Sequence, residues 1–151
     1  YTVYLPAYSD SRIISMLSQI PSVRWQVFSK HSKKAYAFGN VSVHPVRNGA
    51  FLNSISGCRG VLCAAGFETP SEALCLGKKL CVIPMKSQFE QHCNAAALQQ
   101  MGVDVLEGLT ESDLPCLRRW VASDHRVEVD YPEVAGPVVA EILAEHAPAW
   151  W

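Results

Sequence analysis

The chain alternates between short apolar segments and longer segments whose apolar residues recur at helical spacing. The short segments predict strands at residues 3–5, 25–28, 41–43, 60–64, 80–83 and 103–106. The longer segments predict helices at about residues 10–20, 51–57, 69–77, 88–101, 114–122 and 134–146. Strands that alternate with helices through short turns are typical of a parallel sheet.

We therefore predict an α/β fold, a Rossmann-like doubly wound parallel sheet of about six strands with helices on both faces. A length of 151 residues suits one domain, so residues 1–151 are predicted to form a single unit. The runs Gly60–Ala64 and Leu80–Ile83 lack polar alternation, as expected of buried central strands. Such sheets bind ligands beyond the carboxyl ends of their strands, so the turns after these two runs are candidate sites.

Composition and charge exclude several classes of protein. The formal net charge is −1, so no overall field attracts nucleic acid or an anionic membrane. No apolar run approaches the roughly 20 residues that span a bilayer, and we expect no secretory leader, because Tyr1 opens directly into a strand-like segment. The six cysteines lack C-x₂-C spacing, which favours reduced thiols in a cytoplasmic protein over a metal site. Because the chain opens at Tyr1 without methionine, we expect it to be a piece of a longer protein.

The strongest chemical signal is the turn Ala64–Leu74, which leaves a buried strand and opens a helix. The N–H groups of Phe67–Ser71 should lack partners within the helix and, with the positive end of the helix dipole, suit a diphosphate. Gly66 would permit a sharp turn and close approach of a phosphate. Glu72 either compensates the helix dipole or binds a ribose diol, and Glu68 is a competing carboxylate. The residues alone leave both roles open.

A second polar cluster, Pro84–Ala95, follows the next buried strand, so its loop should lie beside the first turn. Glu90 and Gln91 offer a carboxylate and an amide at the start of a helix, which suits the hydroxyl groups of a hexose. Asn94 is placed to brace the same loop. A capped first turn that faces solvent explains these residues equally well.

The segment Gly66–Val103 resembles the C-terminal, donor-binding domain of GT-B glycosyltransferases. The likeness is strongest to the branch that contains the N-acetylglucosaminyltransferase of lipid II synthesis, together with uncharacterised relatives. That branch has a Gly-x-x-Thr-x-x-Glu turn after a buried strand, which Gly66, Thr69 and Glu72 match. Its second element is a strand that ends in proline, an acidic-or-amide pair with Gln, and a downstream Asn-Ala. The residues that match this element are Pro84, Glu90, Gln91, Asn94 and Ala95.

The resemblance implies a donor substrate, a nucleotide-diphosphate sugar with UDP-sugars as the first choice, and no cofactor. The lack of an Asp-x-Asp sequence agrees with a scheme that needs no metal. The residues implied are Gly66, Phe67, Glu68 and Thr69 for the diphosphate, Glu72 for the ribose, Glu90 and Gln91 for the donor sugar, and Val46, Arg47 and Asn48, with Phe51, for the base. The catalytic general base is unknown and is expected in an N-terminal acceptor domain that this chain lacks.

The implied reaction of the parent protein is transfer of a hexose-type sugar to an acceptor hydroxyl, for which the isolated chain should be inactive. Two alternatives stay open: half of a nucleotide-sugar epimerase or hydrolase, and a non-catalytic binding or scaffold module of the same fold. The implied partners are the donor and the missing N-terminal domain, with no nucleic acid. The implied location is the cytoplasm, and peripheral association of the parent with the inner membrane face is compatible with the branch.

One loop departs from the pattern of the family, and a second loop is basic. The turn after the first strand is usually rich in glycine in this family, but Pro6–Ser11 contains none. Asp10 in that turn would repel a phosphate unless it only caps the following helix. The basic segment Ser29–Tyr36 is predicted to be a solvated loop in preference to a phosphate or acceptor contact.

Overall fold

Six strands of the central sheet run parallel, and a short seventh strand at one edge runs antiparallel. The computed structural model describes residues 1–147. The strands are β1 (Thr2–Tyr4), β2 (Trp25–Ser29), β3 (Tyr36–Phe38), β4 (Val41–Pro45), β5 (Gly60–Ala64), β6 (Lys79–Ile83) and β7 (Asp104–Val105). The helices are α1 (Asp10–Leu17), α2 (Asn48–Gly57), α3 (Glu68–Cys75), α4 (Phe89–Gln100), α5 (Leu114–Ala122), which follows a short 3₁₀ turn (Glu111–Asp113), and α6 (Ala135–His146).

The strand order β3-β4-β2-β1-β5-β6-β7 places the first strand in the middle of the sheet. Val3 in β1 pairs with Val27 in β2 on one side and with Leu62 in β5 on the other. The chain first winds outward from β1 to β4 and then returns past β1 to β5. The winding direction therefore reverses between β1 and β5, which makes this boundary the topological switch point.

Helices cover both faces of the sheet, each over its own apolar core. Alternation along β5 sends Leu62 to one face and Val61 and Cys63 to the other. On the first face α1 and α5 bury apolar side chains, with Leu17 and Trp120 among the largest. On the opposite face α2, α3 and α4 contribute side chains to the second core. This arrangement confirms the doubly wound α/β prediction.

All of the predicted strands are present, and the sheet has one strand more than the sequence predicts. The extra strand, β3, has three residues that are all exposed, and it pairs only with β4. A strand this short shows too little apolar alternation to be recognised from sequence. Its presence shortens the predicted basic loop, because Tyr36 begins β3 and Ser29 ends β2.

The buried ammonium of Lys79 ties the start of β6 to the end of α5. Its Nζ donates to the carbonyl oxygens of Trp120 at 2.6 Å and Val121 at 3.1 Å, and also to that of Ser123. The side chain is fully buried beside the Tyr1 and Trp120 rings. Burial lowers the pKa of Lys79 below its ordinary value. The lysine thus satisfies carbonyl groups that the last turn of a helix leaves without partners.

The C-terminal helix α6 buries none of its side chains against the described sheet. Its apolar residues, Val138, Val139, Ile142 and Leu143, are each about half exposed. Among residues 1–147, none of the helices has both the length and the apolar character needed to cross a bilayer.

Candidate functional site

The loops after five neighbouring strands share one edge of the sheet. Ser29 pairs with Pro45 at the ends of β2 and β4, and Ala64 pairs with Ile83 at the ends of β5 and β6. Only β1 lies between these two pairs of strands. The turns that the sequence singled out after β5 and β6 therefore lie beside the loop after β1, at the switch point where such sheets bind ligands.

A cavity of about 310 Å³ opens at this edge between α2 and α3. An apolar wall comes from the end of β1, the loop after β4 and the first turns of α2. The facing wall comes from α3 and contains two carboxylates and a hydroxyl. The residues that line the cavity are Tyr4, Val46, Phe51, Leu52, Glu68, Thr69 and Glu72. A flat apolar surface that faces carboxylates suits a ligand with an aromatic end and a polyol end.

The apolar wall is held by a group of packed rings. The ring centroid of Phe51 lies 5.4 Å from that of Tyr4 and 5.1 Å from that of Phe28. Phe28 is itself buried and stacks on His44 at 5.7 Å. Contacts of this kind fix ring orientations. The wall is consequently formed before any ligand arrives.

The first turn of α3 offers fewer N–H donors than the sequence predicts. The N–H of Ser71 donates to the carbonyl oxygen of Phe67 at 3.2 Å, and Pro70 has no N–H. The predicted Phe67–Ser71 run of donors is therefore wrong at its last two residues. The N–H groups of Glu68 and Thr69, the first two residues of the helix, have no intrahelical partner and stay suited to an anion.

Gly66 does not adopt the left-handed conformation that would require glycine. Positive φ angles within residues 1–147 occur at Gly39, Gly77 and Gly102. The predicted sharp turn is therefore not the reason for glycine at position 66. A Cβ built at Gly66 would meet no atom within 4 Å, so the space beside this turn is open. Gly77, with φ of +61°, ends α3 as predicted.

A second cavity, of about 430 Å³, lies between the loop after β1 and the loop after β6. Its lining residues are Ala7, Tyr8, Pro84, Met85, Lys86, Ser87 and Gln88. Of the predicted sugar residues, Glu90 is exposed beside this loop, whereas Gln91 is 7% exposed. The amide of Gln91 is engaged at both ends within the chain. Its sugar contact stays a prediction.

Asn94 joins the turn after β5 to the first turn of α4. Its Nδ2 donates to the carbonyl oxygen of Ala65 at 3.1 Å and to Oε1 of Glu90 at 3.2 Å. It therefore braces the turn after β5, whereas the sequence predicted that it would brace the loop after β6. The Glu90 carboxylate is positioned by the same bond.

Asp10 is the first residue of α1 but does not cap it. Ser9 caps α1, since its Oγ accepts from the N–H of Arg12 at 3.4 Å. The Asp10 carboxylate accepts instead from the hydroxyls of Ser29 and Ser32, both at 2.6 Å, and of Tyr36 at 3.2 Å. Burial raises the pKa of Asp10, but these three bonds outweigh burial and hold it below its ordinary value. The Asp10 carboxylate therefore holds the basic loop Ser29–Tyr36 beside the start of α1.

A larger cavity, of about 600 Å³, lies at the opposite edge of the sheet, beside Tyr1, Arg24 and Arg59. These residues lie at the amino ends of the strands. We favour the smaller cavities at the carboxyl edge because parallel sheets of this type bind ligands there.

A family model described as glycosyl transferase family 1 matches residues 1–122, from β1 to the end of α5. The chain belongs to glycosyl transferase family 1. A comparison with curated protein sequences finds no match.

Solved structures similar to this family 1 chain are glycosyltransferases of the GT-B type. They include SnogD from Streptomyces nogalater, with TM-score 0.58 and 19% identity over 82% of this chain and 34% of that chain. The glycosyltransferase of kitacinnamycin gives TM-score 0.61 and 16% identity over 95% of this chain and 37% of that one. The spinosyn rhamnosyltransferase SpnG, complexed with thymidine diphosphate, gives TM-score 0.52 and 18% identity over 81% of this chain and 37% of that chain. The chain thus spans little more than a third of the length of these glycosyltransferases, whose fold it shares.

Apart from Glu90 and Gln91 in the first turn of α4, the predicted site residues of this family 1 chain fall into three groups. Glu68, Thr69 and Glu72 line the 310 Å³ cavity together with Val46 and Phe51. Gly66 and the exposed Phe67 lie at the turn that leads into α3. Arg47 is exposed at the N-cap of α2, and Asn48 is the first residue of that helix. The sequence missed the cavity residues Tyr4 and Leu52. The position of Tyr4 at the carboxyl end of β1 was the signal that could have found it.

Proposed function

We propose that the chain binds the nucleotide-diphosphate sugar donor of a glycosyltransferase, whose full-length form transfers a hexose-type sugar to an acceptor hydroxyl. The observation that supports this most directly is the 310 Å³ cavity, where an apolar wall faces the carboxylates of Glu68 and Glu72. A nucleoside has the matching chemistry, a flat base joined to a ribose diol. Membership of family 1 favours sugar transfer over epimerisation or hydrolysis.

In this proposal the base lies against Val46, Phe51 and Tyr4, beside the loop that continues to Arg47 and Asn48. Glu72, half-buried in the second turn of α3, accepts hydrogen bonds from the two ribose hydroxyls. The diphosphate then lies over the open turn at Gly66 and Phe67. There the N–H groups of Glu68 and Thr69, with the Thr69 hydroxyl, are its donors.

Charge develops on the diphosphate as it leaves the sugar. We propose that the donors of α3 stabilise this charge without a metal, because they point at the leaving group before the reaction starts. Glu90, held by Asn94, is proposed to bind a hydroxyl of the donor sugar.

The rest of the proposed enzyme lies outside this chain. Since the chain spans little more than a third of the similar glycosyltransferases, we propose that an N-terminal domain supplies the general base and the acceptor groove. The Gly66, Thr69 and Glu72 spacing supports the lipid II N-acetylglucosaminyltransferase branch, and UDP-sugars as donors. The reduced cysteines support a cytoplasmic location, and that branch supports peripheral contact with the inner membrane face.

Calorimetric titration of the chain with UDP, dTDP, GDP, ADP and CMP tests this proposal. We expect one nucleotide to bind in the micromolar to millimolar range, about 4–8 kcal/mol. Glu72→Gln should weaken that binding by about 1–3 kcal/mol, because a ribose hydroxyl loses a charged acceptor. Glu141→Gln, which alters an exposed carboxylate of α6 away from the cavity, is the control and should change the affinity little. If no nucleotide binds, the proposed function is rejected, and if the two variants behave alike, the ribose role of Glu72 is rejected.

A further inference from the structure

Three polar groups, two in the loop after β6 and one in the first turn of α4, form a continuous series of hydrogen bonds. The backbone N–H of Met85 donates to Oε1 of Gln91 at 3.1 Å. Nε2 of Gln91 donates to Oε1 of Gln88 at 2.7 Å. The loop is closed by a turn in which the N–H of Gln88 donates to the carbonyl oxygen of Met85 at 3.1 Å. These bonds connect the side chain of Gln88, the last member of the series, to the backbone N–H of Met85.

The backbone N–H of Met85 fixes the direction of both side-chain hydrogen bonds in this series. A backbone N–H can only donate, so the oxygen end of the Gln91 amide must face Met85. The nitrogen end of Gln91 must then face Gln88, whose oxygen accepts from it. The ambiguity between oxygen and nitrogen that normally affects amide side chains is thereby removed. Gln88 is left with its NH₂ group directed away from Gln91.

The NH₂ group of Gln88 is exposed at the edge where ligands are expected. Gln88 lines the 430 Å³ cavity with Tyr8 and Lys86. Among the described residues, its Nε2 has no hydrogen-bond partner. By contrast, Gln91 is 7% exposed and uses both ends of its amide within the chain. The buried Gln91 is therefore suited to orient a neighbouring side chain, and the exposed Gln88 is suited to contact a ligand.

We propose that Gln88 is a ligand-binding residue that donates a hydrogen bond to an oxygen atom of the nucleotide sugar, and that Gln91 is the positioning residue that orients it. This proposal rests on the proposed donor-binding function and deepens it. The oxygen belongs to a sugar hydroxyl or to the diphosphate, since both are acceptors. Gln91 thus acts on the ligand through Gln88, and the direct sugar contact that the sequence predicts for Gln91 stays a separate prediction.

A double-mutant cycle measures this coupling. In Gln91→Glu the carboxylate still accepts from Met85 but cannot donate, so the Gln88 amide turns over and presents its oxygen to the ligand. In Gln88→Ala the contact is absent whatever lies at position 91. The affinities of the wild-type chain, both single variants and the double variant are measured by calorimetry with UDP, UDP-glucose, dTDP and dTDP-glucose. Gln100→Glu, on the exposed far end of α4, is the control for added charge.

We expect Gln88→Ala to weaken binding of the nucleotide sugar about 3- to 10-fold, the effect of one lost hydrogen bond. Gln91→Glu should weaken it to the same extent if the partner is a phosphate oxygen, which cannot donate to the turned-over amide, and less if the partner is a sugar hydroxyl, which can. In the Gln88→Ala background, Gln91→Glu should cost less than about twofold, because the two variants remove the same contact. If binding of UDP-glucose and dTDP-glucose is weakened but binding of UDP and dTDP is not, the acceptor is a sugar hydroxyl. If UDP and dTDP are weakened as much as their glucose esters, the acceptor is a phosphate oxygen.

Three results overturn the proposal. Unchanged affinity in Gln88→Ala, which alters an exposed side chain and should leave the fold intact, excludes the contact. If Gln91→Glu lowers the affinity equally in the wild-type chain and in Gln88→Ala, the cause is the added charge or a distorted loop. Thermal melting of each variant detects a distorted loop. Failure of the wild-type chain to bind any of the four ligands removes the donor-binding function itself, and the role of Gln88 with it. A failure of the Gln88 role alone leaves wild-type binding and the Glu72→Gln effect in place.

Discussion

The hydroxyl of Ser29 donates to the carboxylate of Asp10 at 2.6 Å, and this bond joins the end of β2 to the first residue of α1. The same Ser29 Oγ accepts from the backbone N–H groups of His31 and Ser32. The basic loop is therefore held in one conformation by a single carboxylate. The sequence led us to expect that Asp10 would repel a phosphate unless it only capped α1; the cap is Ser9, and the Asp10 carboxylate binds hydroxyls of the basic loop.

Asp10 should make the stability of the chain depend on pH below about 4. Its pKa is lowered in the folded state, so its stabilising effect is complete above the unfolded pKa and is lost as pH falls through the folded pKa. Asp10→Asn should therefore be less stable than wild type at pH 7, and the difference should shrink as the pH falls toward 3. Urea denaturation across this range measures it. Asp130→Asn, an exposed carboxylate of the C-terminal segment, should show no such convergence.

Removal of the Lys79 ammonium should strongly destabilise the fold. Lys79→Met leaves the buried carbonyl oxygens at the end of α5 without a donor, which costs about 2–4 kcal/mol of unfolding free energy. The neighbouring Lys78 reaches only the carbonyl oxygen of Ser56, near the surface. Lys78→Met is thus the matched control and should cost below about 1 kcal/mol. A similar loss in both variants, measured by urea denaturation, would contradict the importance of the α5 contacts.

Leu52 should contribute to nucleotide affinity without contributing much to stability. It lines the 310 Å³ cavity although it is 53% exposed. Leu52→Ala removes apolar surface from the proposed base wall, so the affinity for the nucleotide should fall about 2- to 5-fold, which corresponds to roughly 0.5–1 kcal/mol. Leu76→Ala provides the comparison, because Leu76 is 50% exposed at the far end of α3. Calorimetry that shows equal affinities for the two variants would exclude Leu52 from the site.

Four of the six cysteines should react with a thiol reagent as two distinct pairs. Cys75 and Cys93 are exposed, whereas Cys63 and Cys81 are fully buried in β5 and β6. Burial also raises the pKa of both strand thiols, which suppresses the reactive thiolate. Under native conditions we expect rapid labelling of the first pair and labelling of the second only on unfolding. Mass spectrometry after timed alkylation distinguishes the pairs, and rapid native labelling of Cys63 would contradict the packing of the central strands.

The sequence predicted the central strands because a strand buried on both faces must be apolar throughout, as at Gly60–Ala64. It also predicted which loops meet at one edge, since parallel strands place their carboxyl ends together. It could not predict that Gln91 points inward, because α4 has few large apolar residues and its buried face is not evident from periodicity. Nor could it find the Asp10 and Ser29 contact, which joins residues that are neighbours only after β1 and β2 have paired.

The central position of β1 determines when its surroundings are completed. One of its partners, Val27, is made soon after it, but the other, Leu62, emerges from the ribosome only after β2, β3, β4 and α2 have been synthesised. Until β5 arrives, one side of β1 is an open edge that invites wrong pairing. The 310 Å³ cavity, to which Tyr4 of β1 and residues of α3 both contribute, therefore does not exist in a nascent chain that stops at β4. The nucleotide ligand proposed above would bind and stabilise only chains in which this second, long-range pairing has formed.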